Sequence, residues 1–237
     1  KATGTSLKKD NIEHYIKIKD ARSQGFIYKD LGDILGERGG HDQGLDFYKK
    51  SLTMFDPKKD HYNIANINMN MGVIHSLKLD WKKAAEHYET AEIITGREGY
   101  INTQAWALFN LAEAYTKLNK LQQAEEALNE SLRLLEKTDD SMGIAGACMK
   151  FGELYQQQEK WEESIDKFQE CVSILRELGI PKYLADAVHE MGKSQAAIGQ
   201  RELARESFQE AIGIYKELGI RKSQNNVEAD LKKLGPQ

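Results

Sequence analysis

The sequence predicts an all-α fold built from tandem helical hairpins, and three observations support this prediction. Only three prolines occur among the 237 residues, well under the roughly 5% of average usage. Proline breaks helices, whereas the Ala, Glu, Lys, Leu and Gln in which the chain is rich favour them. Apolar and small residues recur at intervals of 3, 4 and 7, which place side chains on one helix face. The whole pattern then repeats at a constant period.

The period is 40 residues and is carried by four columns of small or ring-bearing residues. A small residue that follows an apolar one lies at Gly32, Gly72, Ala112, Gly152 and Gly192. A second compact residue comes twelve positions later, at Gly44, Ala84, Ala124, Ser164 and Ala204. A ring or Leu follows at Tyr48, Tyr88, Leu128, Phe168 and Phe208, and a small residue at Ser51, Ala91, Ser131, Cys171 and Ala211. The columns predict two helices that cross closely within each copy, with the ring filling the space beside the crossing.

Turn residues divide the copies into ten antiparallel helices of about 14–19 residues with short connections. The turns inside the copies are predicted at Gly39-Gly40, Leu79-Asp80, Asn119-Lys120, Glu159-Lys160 and Gly199-Gln200. The predicted units are 21–58, 59–98, 99–138, 139–180 and 181–220. Residues 1–20 are predicted to form a divergent helix. Residues 221–237 are predicted to form a capping helix and tail, because Lys232 stands where a further unit would need a small residue.

These residues resemble the tetratricopeptide repeat, whose common unit has 34 residues. The resemblance rests on the apolar–Gly pair, a Tyr three residues on (Tyr115, Tyr155), and then the Ala, ring and Ala columns. The longer unit is similar to the variety found in spindle-orientation adaptors and bacterial peptide-sensing regulators. It implies a right-handed α-solenoid whose first helices line a concave face. Gly44 stands where the family has Ala, so the first hairpin is expected to pack more loosely.

The sequence carries no recognisable catalytic, metal-binding or cofactor-binding pattern. Its six histidines lack metal-ligand spacing, and His75 and His189 are expected to have structural or groove roles. The glycines from Gly36 to Gly40 follow no strand, so they do not predict a phosphate loop. Cys171 lies in a small-residue column and is expected to be buried. We therefore expect a protein that is not an enzyme and that has no cofactor and no metal.

Composition limits the partners and the location. The net charge is −4 with both signs interspersed, which argues against nucleic-acid binding. No apolar stretch approaches the roughly 18 residues of a membrane span, so no membrane partner is expected. Cys148 and Cys171 are expected to be reduced core thiols in a cytoplasmic protein. The chain begins with Lys1, which suggests a fragment or a processed product, and we expect a monomer.

The family resemblance places a candidate peptide-binding groove on the first helices. Asn70 and Asn110 share one column, and side-chain amides there are able to hold the backbone of an extended peptide. Trp106 and Phe109 offer apolar contacts, although they also suit the filling of space between neighbouring hairpins. The predicted groove residues are Met69, Asn70, Val73, Trp106, Phe109, Asn110, Glu113, Met149, Lys150, Glu153, His189 and Lys193.

Two functions remain open from the sequence. The first is a non-catalytic scaffold that binds a peptide or protein segment in this groove. The second is the sensor domain of a larger regulator, in which a signalling peptide controls an attached effector domain. The clamp by which some repeats of this family capture the carboxylate of a chaperone tail is disfavoured. Lys29 and Asn70 fit that clamp, but Asp33, Trp106 and Asn110 do not.

Overall fold

The structure, a computed structural model, describes residues 20–235 and is helical throughout. The first nineteen residues of the predicted N-terminal helix lie outside the described residues. In chain order the helices of the described part are α1 (Ala21–Glu37), α2 (His41–Met54), α3 (His61–Leu77), α4 (Trp81–Glu98), α5 (Ile101–Lys117), α6 (Leu121–Lys137), α7 (Ser141–Gln157), α8 (Trp161–Leu178), α9 (Pro181–Ala197), α10 (Arg201–Glu217) and α11 (Arg221–Lys233). Helix α1 packs against α2, α3 against α4, α7 against α8 and α9 against α10, and a turn of the same kind joins α5 to α6. The predicted all-α fold of the α-solenoid class, closed by a capping helix, is confirmed.

The turns repeat with the same period as the sequence. The residue that ends the turn inside each hairpin has a positive φ, at Gly39, Leu79, Asn119, Glu159 and Gly199. The turns between hairpins have their own series, at Gly99, Asp139, Gly179 and Gly219. Glycine adopts this left-handed conformation without strain, whereas Leu79 and Glu159 adopt it at a conformational cost.

Side chains fix several helix starts. Asp20 Oδ1 accepts a hydrogen bond from the Ser23 amide at 3.0 Å, and Asp140 Oδ1 accepts one from the Gly143 amide at 2.8 Å. Pro181 begins α9, where its missing N–H leaves no helical hydrogen bond unmade. These caps satisfy amide groups that have no partner inside the helix.

The helix crossing is closest where a glycine faces a ring in the same hairpin. A Cβ added to Gly72 would lie 2.4 Å from the ring of Tyr88, and one added to Gly152 would lie 2.6 Å from that of Phe168. In the third copy the two columns hold Ala112 and Leu128, both buried. Alanine, which is larger than glycine, therefore occurs opposite leucine, which is smaller than an aromatic ring. The combined volume of the two columns is thus similar in every copy.

The expected loose packing of the first hairpin is wrong. A Cβ at Gly44 would meet the carbonyl oxygen of Gly32 at 3.2 Å and the amide nitrogen of Gly36 at 3.3 Å. The backbone of α2 therefore approaches that of α1 closely, and an alanine at this position would require a shift of a few tenths of an ångström. Glycine at this position tightens the crossing.

The described chain divides into two compact units, unit 1 up to residue 107 and unit 2 from residue 108 onward. Unit 1 contains α1 to α4 and the first seven residues of α5. One cluster of its core contains Leu45, Tyr48, Phe55, Ile67, Met71 and Ile74. Ser51 Oγ, also buried, donates to the carbonyl oxygen of Gly25 at 2.7 Å, so the core is closed by a satisfied polar contact.

Unit 2 contains the remainder of α5 and the helices to α11. The core of its C-terminal part includes both cysteines, the rings of Phe208 and Tyr215, and Val227 of α11. Leu231 and Leu234 pack against the same core. The last helix therefore covers apolar surface of the fifth hairpin, as a terminal cap of a repeat array must.

Candidate functional site

An open cleft lies between the first helices α1 and α3 in unit 1. Its volume is about 430 Å³. Polar side chains and exposed aliphatic side chains share its walls, and these residues are Asp33, Gly36, Glu37, Tyr48, Asn70, Val73, Ile74 and Leu77. We call this the α1–α3 cleft. A concave site with apolar walls and a few convergent polar groups is the usual form of a binding site.

Asp33 organises the polar side of the α1–α3 cleft. Its Oδ1 accepts hydrogen bonds from the Tyr48 hydroxyl at 2.5 Å and from the Asn70 amide nitrogen at 2.8 Å. Its Oδ2 accepts one from Lys29 Nζ at 2.7 Å. Burial, together with the adjacent Asp33 carboxylate, raises the pKa of the Tyr48 phenol, so this hydroxyl keeps its proton at neutral pH.

The apolar side of the cleft is open to solvent. Val73 is 41% exposed and Leu77 is 60% exposed, although both lie on a helix whose other face is packed in the core. Exposed aliphatic side chains that line a concavity mark candidate contact surfaces. The cleft therefore combines an ordered polar floor with apolar walls that remain available.

The structure brings two of the predicted groove residues, Asn70 and Val73, into this cleft. Met69 is half-buried on the same helix, and Trp106, 36% exposed, lies on the part of α5 that belongs to unit 1. Asn110 lies in unit 2 and is half-buried. The interpretation of Asn70 changes, because its amide nitrogen already donates to Asp33.

The predicted groove residues of unit 2 contact one another. Lys150 on α7 lies 3.2 Å from Glu113 on α5 and 3.0 Å from Glu153. Burial acts to lower the pKa of Lys150, but the two carboxylates outweigh it and raise the pKa. The three charged side chains thus form an ion-paired group that links two consecutive first helices.

The other predicted residues of unit 2 also have structural contacts. His189 Nε2 lies 2.9 Å from Asp230 on the capping helix, and Lys193 pairs with Glu190. Met149 packs against the core, and the ring of Phe109 faces the backbone of α7 at Gly146. The expectation that His189 has a hydrogen-bonded structural role agrees with this geometry.

Sequence reasoning missed six residues of the α1–α3 cleft as binding residues: Asp33, Gly36, Glu37, Tyr48, Ile74 and Leu77. Asp33 had appeared only as a residue that disfavours carboxylate capture, and Tyr48 only as the ring beside a crossing. Asp33 and Glu37 are four residues apart on α1, so they lie on one helix face. That spacing is the one sequence signal that points to an acidic strip beside Asn70.

His75, in the column that holds Tyr115 and Tyr155, is buried against His87 in the second hairpin. Their rings stack with centroids 5.4 Å apart. His87 Nδ1 lies 3.0 Å from Asn68 Oδ1, whereas His75 Nδ1 is buried without a hydrogen bond. Burial lowers the pKa of both imidazoles, and for His87 the neighbouring His75 lowers it further. The fold therefore favours the neutral form of both rings.

The described residues contain no cluster of three or more side chains suited to holding a metal ion. Cys148 and Cys171 are buried, and burial raises the pKa of each thiol to about 12. Such thiols are poor nucleophiles at neutral pH. Between residues 20 and 235, no helix has both the length and the apolar character that a bilayer crossing requires.

Two tetratricopeptide repeat family models match the chain, at residues 107–137 and 146–217. No curated protein matches it by sequence. Among solved structures it is similar to BtubC from P. vanneervenii, with a TM-score of 0.76, 20% identity and coverage of 84% of this chain and 82% of that one. A putative kinesin light chain with TPR-like repeats from Podosopora anserina gives a TM-score of 0.71, 15% identity and coverage of 85% and 99%.

A third similar structure is aspartyl phosphate phosphatase F from Bacillus subtilis, with a TM-score of 0.70 and 8% identity. The match covers 97% of this chain but only 64% of that protein. At identities this low, the structural likeness shows a shared fold and nothing further. The two family models, together with the 40-residue period, show that the chain belongs to the tetratricopeptide repeat family. Repeats of this family generally mediate protein interactions and are generally non-catalytic.

Proposed function

We propose that this protein is a non-catalytic scaffold that binds a peptide or protein segment, and that the α1–α3 cleft is its principal contact site. The observation that carries the proposal is the exposure of Val73 and Leu77 beside a polar floor fixed by Asp33. Apolar side chains of a partner would be buried there, while polar groups nearby would orient its backbone.

The cleft supports the proposal better than the predicted groove residues of unit 2 do. In unit 2, Lys150, Glu113 and Glu153 already pair with one another, and a ligand would have to displace those contacts. The polar groups of the cleft are also paired, but its aliphatic walls are not covered. Binding through the unit 2 residues stays a prediction.

We expect Leu77→Ser to weaken peptide binding about tenfold, because a leucine side chain buried by a ligand contributes about 1.5–3 kcal/mol. Peptides would first be selected from a random displayed library on the wild-type protein, and affinities would then be measured by fluorescence polarisation. Ile93→Ser is the matched control, since Ile93 is 64% exposed on α4 and lies outside the cleft. Equal affinities of the selected peptides for wild type and Leu77→Ser would refute the site.

The alternative proposal is that the chain is the sensor part of a larger regulator. It is favoured by the likeness to aspartyl phosphate phosphatase F, a protein that extends beyond the matched region. Hydrogen exchange with a selected peptide separates the two proposals. A scaffold predicts protection confined to α1 and α3, whereas a sensor predicts changed exchange in unit 2 as well.

A further inference from the structure

The donors around the α1–α3 cleft are directed at Asp33. The Tyr48 hydroxyl and the Asn70 amide both donate to its Oδ1, and Lys29 donates to its Oδ2. A second hydrogen bond joins Lys29 to Asp30 at 3.4 Å. The cation that a carboxylate ligand would need is therefore already neutralised within α1.

The groups left for a ligand are mainly acceptors. Because the amide nitrogen of Asn70 donates to Asp33, its carbonyl oxygen is left as an acceptor. Glu37 is exposed on the lip of the cleft, one helical turn beyond Asp33. It forms no ion pair with any of the described residues. With Asp30, Asp33 and Glu37 against Lys29, the formal charge of this group beside the cleft is −2.

Resting on the function proposed above, we propose that the α1–α3 cleft selects a segment in which an arginine or lysine is flanked by aliphatic residues. The aliphatic side chains pack on Val73 and Leu77, and the cation donates to Glu37 and to the carbonyl oxygen of Asn70. The complementarity is one of both charge and hydrogen-bond direction, because a cation supplies donors to a surface that presents acceptors.

The test uses three synthetic peptides that differ at one position: Ac-Ala-Leu-X-Leu-Ala-NH2, with X as arginine, citrulline or glutamate. Citrulline keeps the shape of arginine and removes its charge. Binding is followed by NMR through the methyl resonances of Val73 and Leu77. We expect the arginine peptide to bind roughly two- to fivefold more tightly than the citrulline peptide, and the difference to shrink as salt is added.

Two charge-neutralising variants assign the effect to the cleft. Glu37→Gln is expected to abolish most of the preference for arginine over citrulline. Glu86→Gln, which makes the same change on the exposed face of α4, is expected to retain it. Both residues are exposed, so neither change is expected to impair folding.

Each contrary outcome has a distinct meaning. Equal binding of the three peptides, or tighter binding of the glutamate peptide, overturns the cationic preference and leaves the binding site standing. A preference that survives in Glu37→Gln overturns the role of Glu37. If none of the three peptides shifts the Val73 and Leu77 methyls at millimolar concentration, the inference is wrong. The Leu77→Ser experiment then decides separately whether the cleft binds peptides at all.

Discussion

At the scale of single residues, the contact between a glycine and a ring determines how closely two helices pair. Gly72 faces the ring of Tyr88, and the same arrangement recurs between Gly192 and Phe208, where an added Cβ would lie 2.7 Å from the ring. A buried ring closed in by its own hairpin has little space to move. The smallest side chain is therefore required by packing at these positions, and not by backbone conformation.

We expect Gly72→Ala to lower the free energy of unfolding by about 1–3 kcal/mol, because the new methyl overlaps the Tyr88 ring and overpacks the crossing. The measurement is urea denaturation followed by circular dichroism. Gly213→Ala is the matched control on α10, where nothing lies within 4 Å of an added Cβ. It should raise stability by about 0.5–1 kcal/mol through helix propensity alone. An increase of similar size in both variants would contradict the packing argument.

The two stacked imidazoles of the second hairpin make a separate contribution at this scale. Because burial lowers the pKa of His75 and His87 in the fold, both bind protons more readily when unfolded, where the ordinary value is about 6.5. Their stabilising effect is complete above that pH. It is lost as pH falls through about 6.5 toward their lowered values, because protons then favour the unfolded chain. The charged groups that also influence one or both rings are Lys49, Lys78, Asp80, Lys83 and Glu86.

The fifth hairpin supplies a matched replacement for this pair. At the equivalent positions it has Gln195 and Ser207, joined by a hydrogen bond of 2.8 Å. We expect the double variant His75→Gln/His87→Ser to lose less stability than wild type between neutral and mildly acidic pH, measured by thermal melting. Parallel pH profiles for the two proteins would show that the imidazoles do not contribute.

At the scale of the helices, glycine or aspartate marks most of the turns, and the 40-residue period predicts the turns at Asn119-Lys120 and Glu159-Lys160, which contain neither. The recurrence of positive φ at 40-residue intervals agrees with that prediction. The close approach of α1 and α2 in the first hairpin could not be predicted from the sequence. Gly44 looked like a departure from a family pattern, whereas only coordinates show that two backbones meet there. The positions of turns are therefore easier to predict from a sequence than the closeness with which the helices between them pack.

Leu79 illustrates a turn whose residue does not suit its conformation. It has a φ of 60° and is 72% exposed, so its side chain contributes little packing to offset the strain. We expect Leu79→Gly to stabilise the protein by up to about 1 kcal/mol, since the left-handed region costs a non-glycine residue about 1–2 kcal/mol and glycine loses more chain entropy on folding.

The control for that change is Leu79→Ala, which removes most of the side chain but keeps the strain. Chemical denaturation should rank glycine above leucine, and alanine at or below leucine. If alanine stabilises the protein as much as glycine does, the gain comes from removing an exposed apolar side chain and not from the backbone.

At the scale of the whole molecule, the fold followed from periodicity, but the candidate site followed only in part. Asn70 and Val73 were predicted because they occupy inward positions of a repeat. Tyr48 and Asn70 both donate to Asp33, across 15 and 37 residues of sequence. No spacing rule links such a set, because each member also has an ordinary role in its own copy. Repeats predict elements well and predict contacts between unlike positions poorly.

The capping helix is expected to stabilise the fifth hairpin as a unit. Removing residues 221–237 would uncover the surface against which Val227, Leu231 and Leu234 pack and would break the contact from His189 to Asp230. We expect amide exchange in α9 and α10 to accelerate, as for a repeat array that has lost its terminal cap. A chain shortened after Gly235 keeps α11 and should exchange like wild type. Unchanged exchange in both truncated chains would show that α11 is dispensable.

The two buried thiols of the fourth hairpin can report the transient opening of that hairpin. Cys148 lies on α7 and Cys171 on α8, and neither is accessible while that hairpin is closed. An alkylating reagent can therefore label them only during transient separation of the two helices, and the labelling rate at saturating reagent equals the opening rate. Mass spectrometry of the labelled chain would measure this opening rate without an introduced probe.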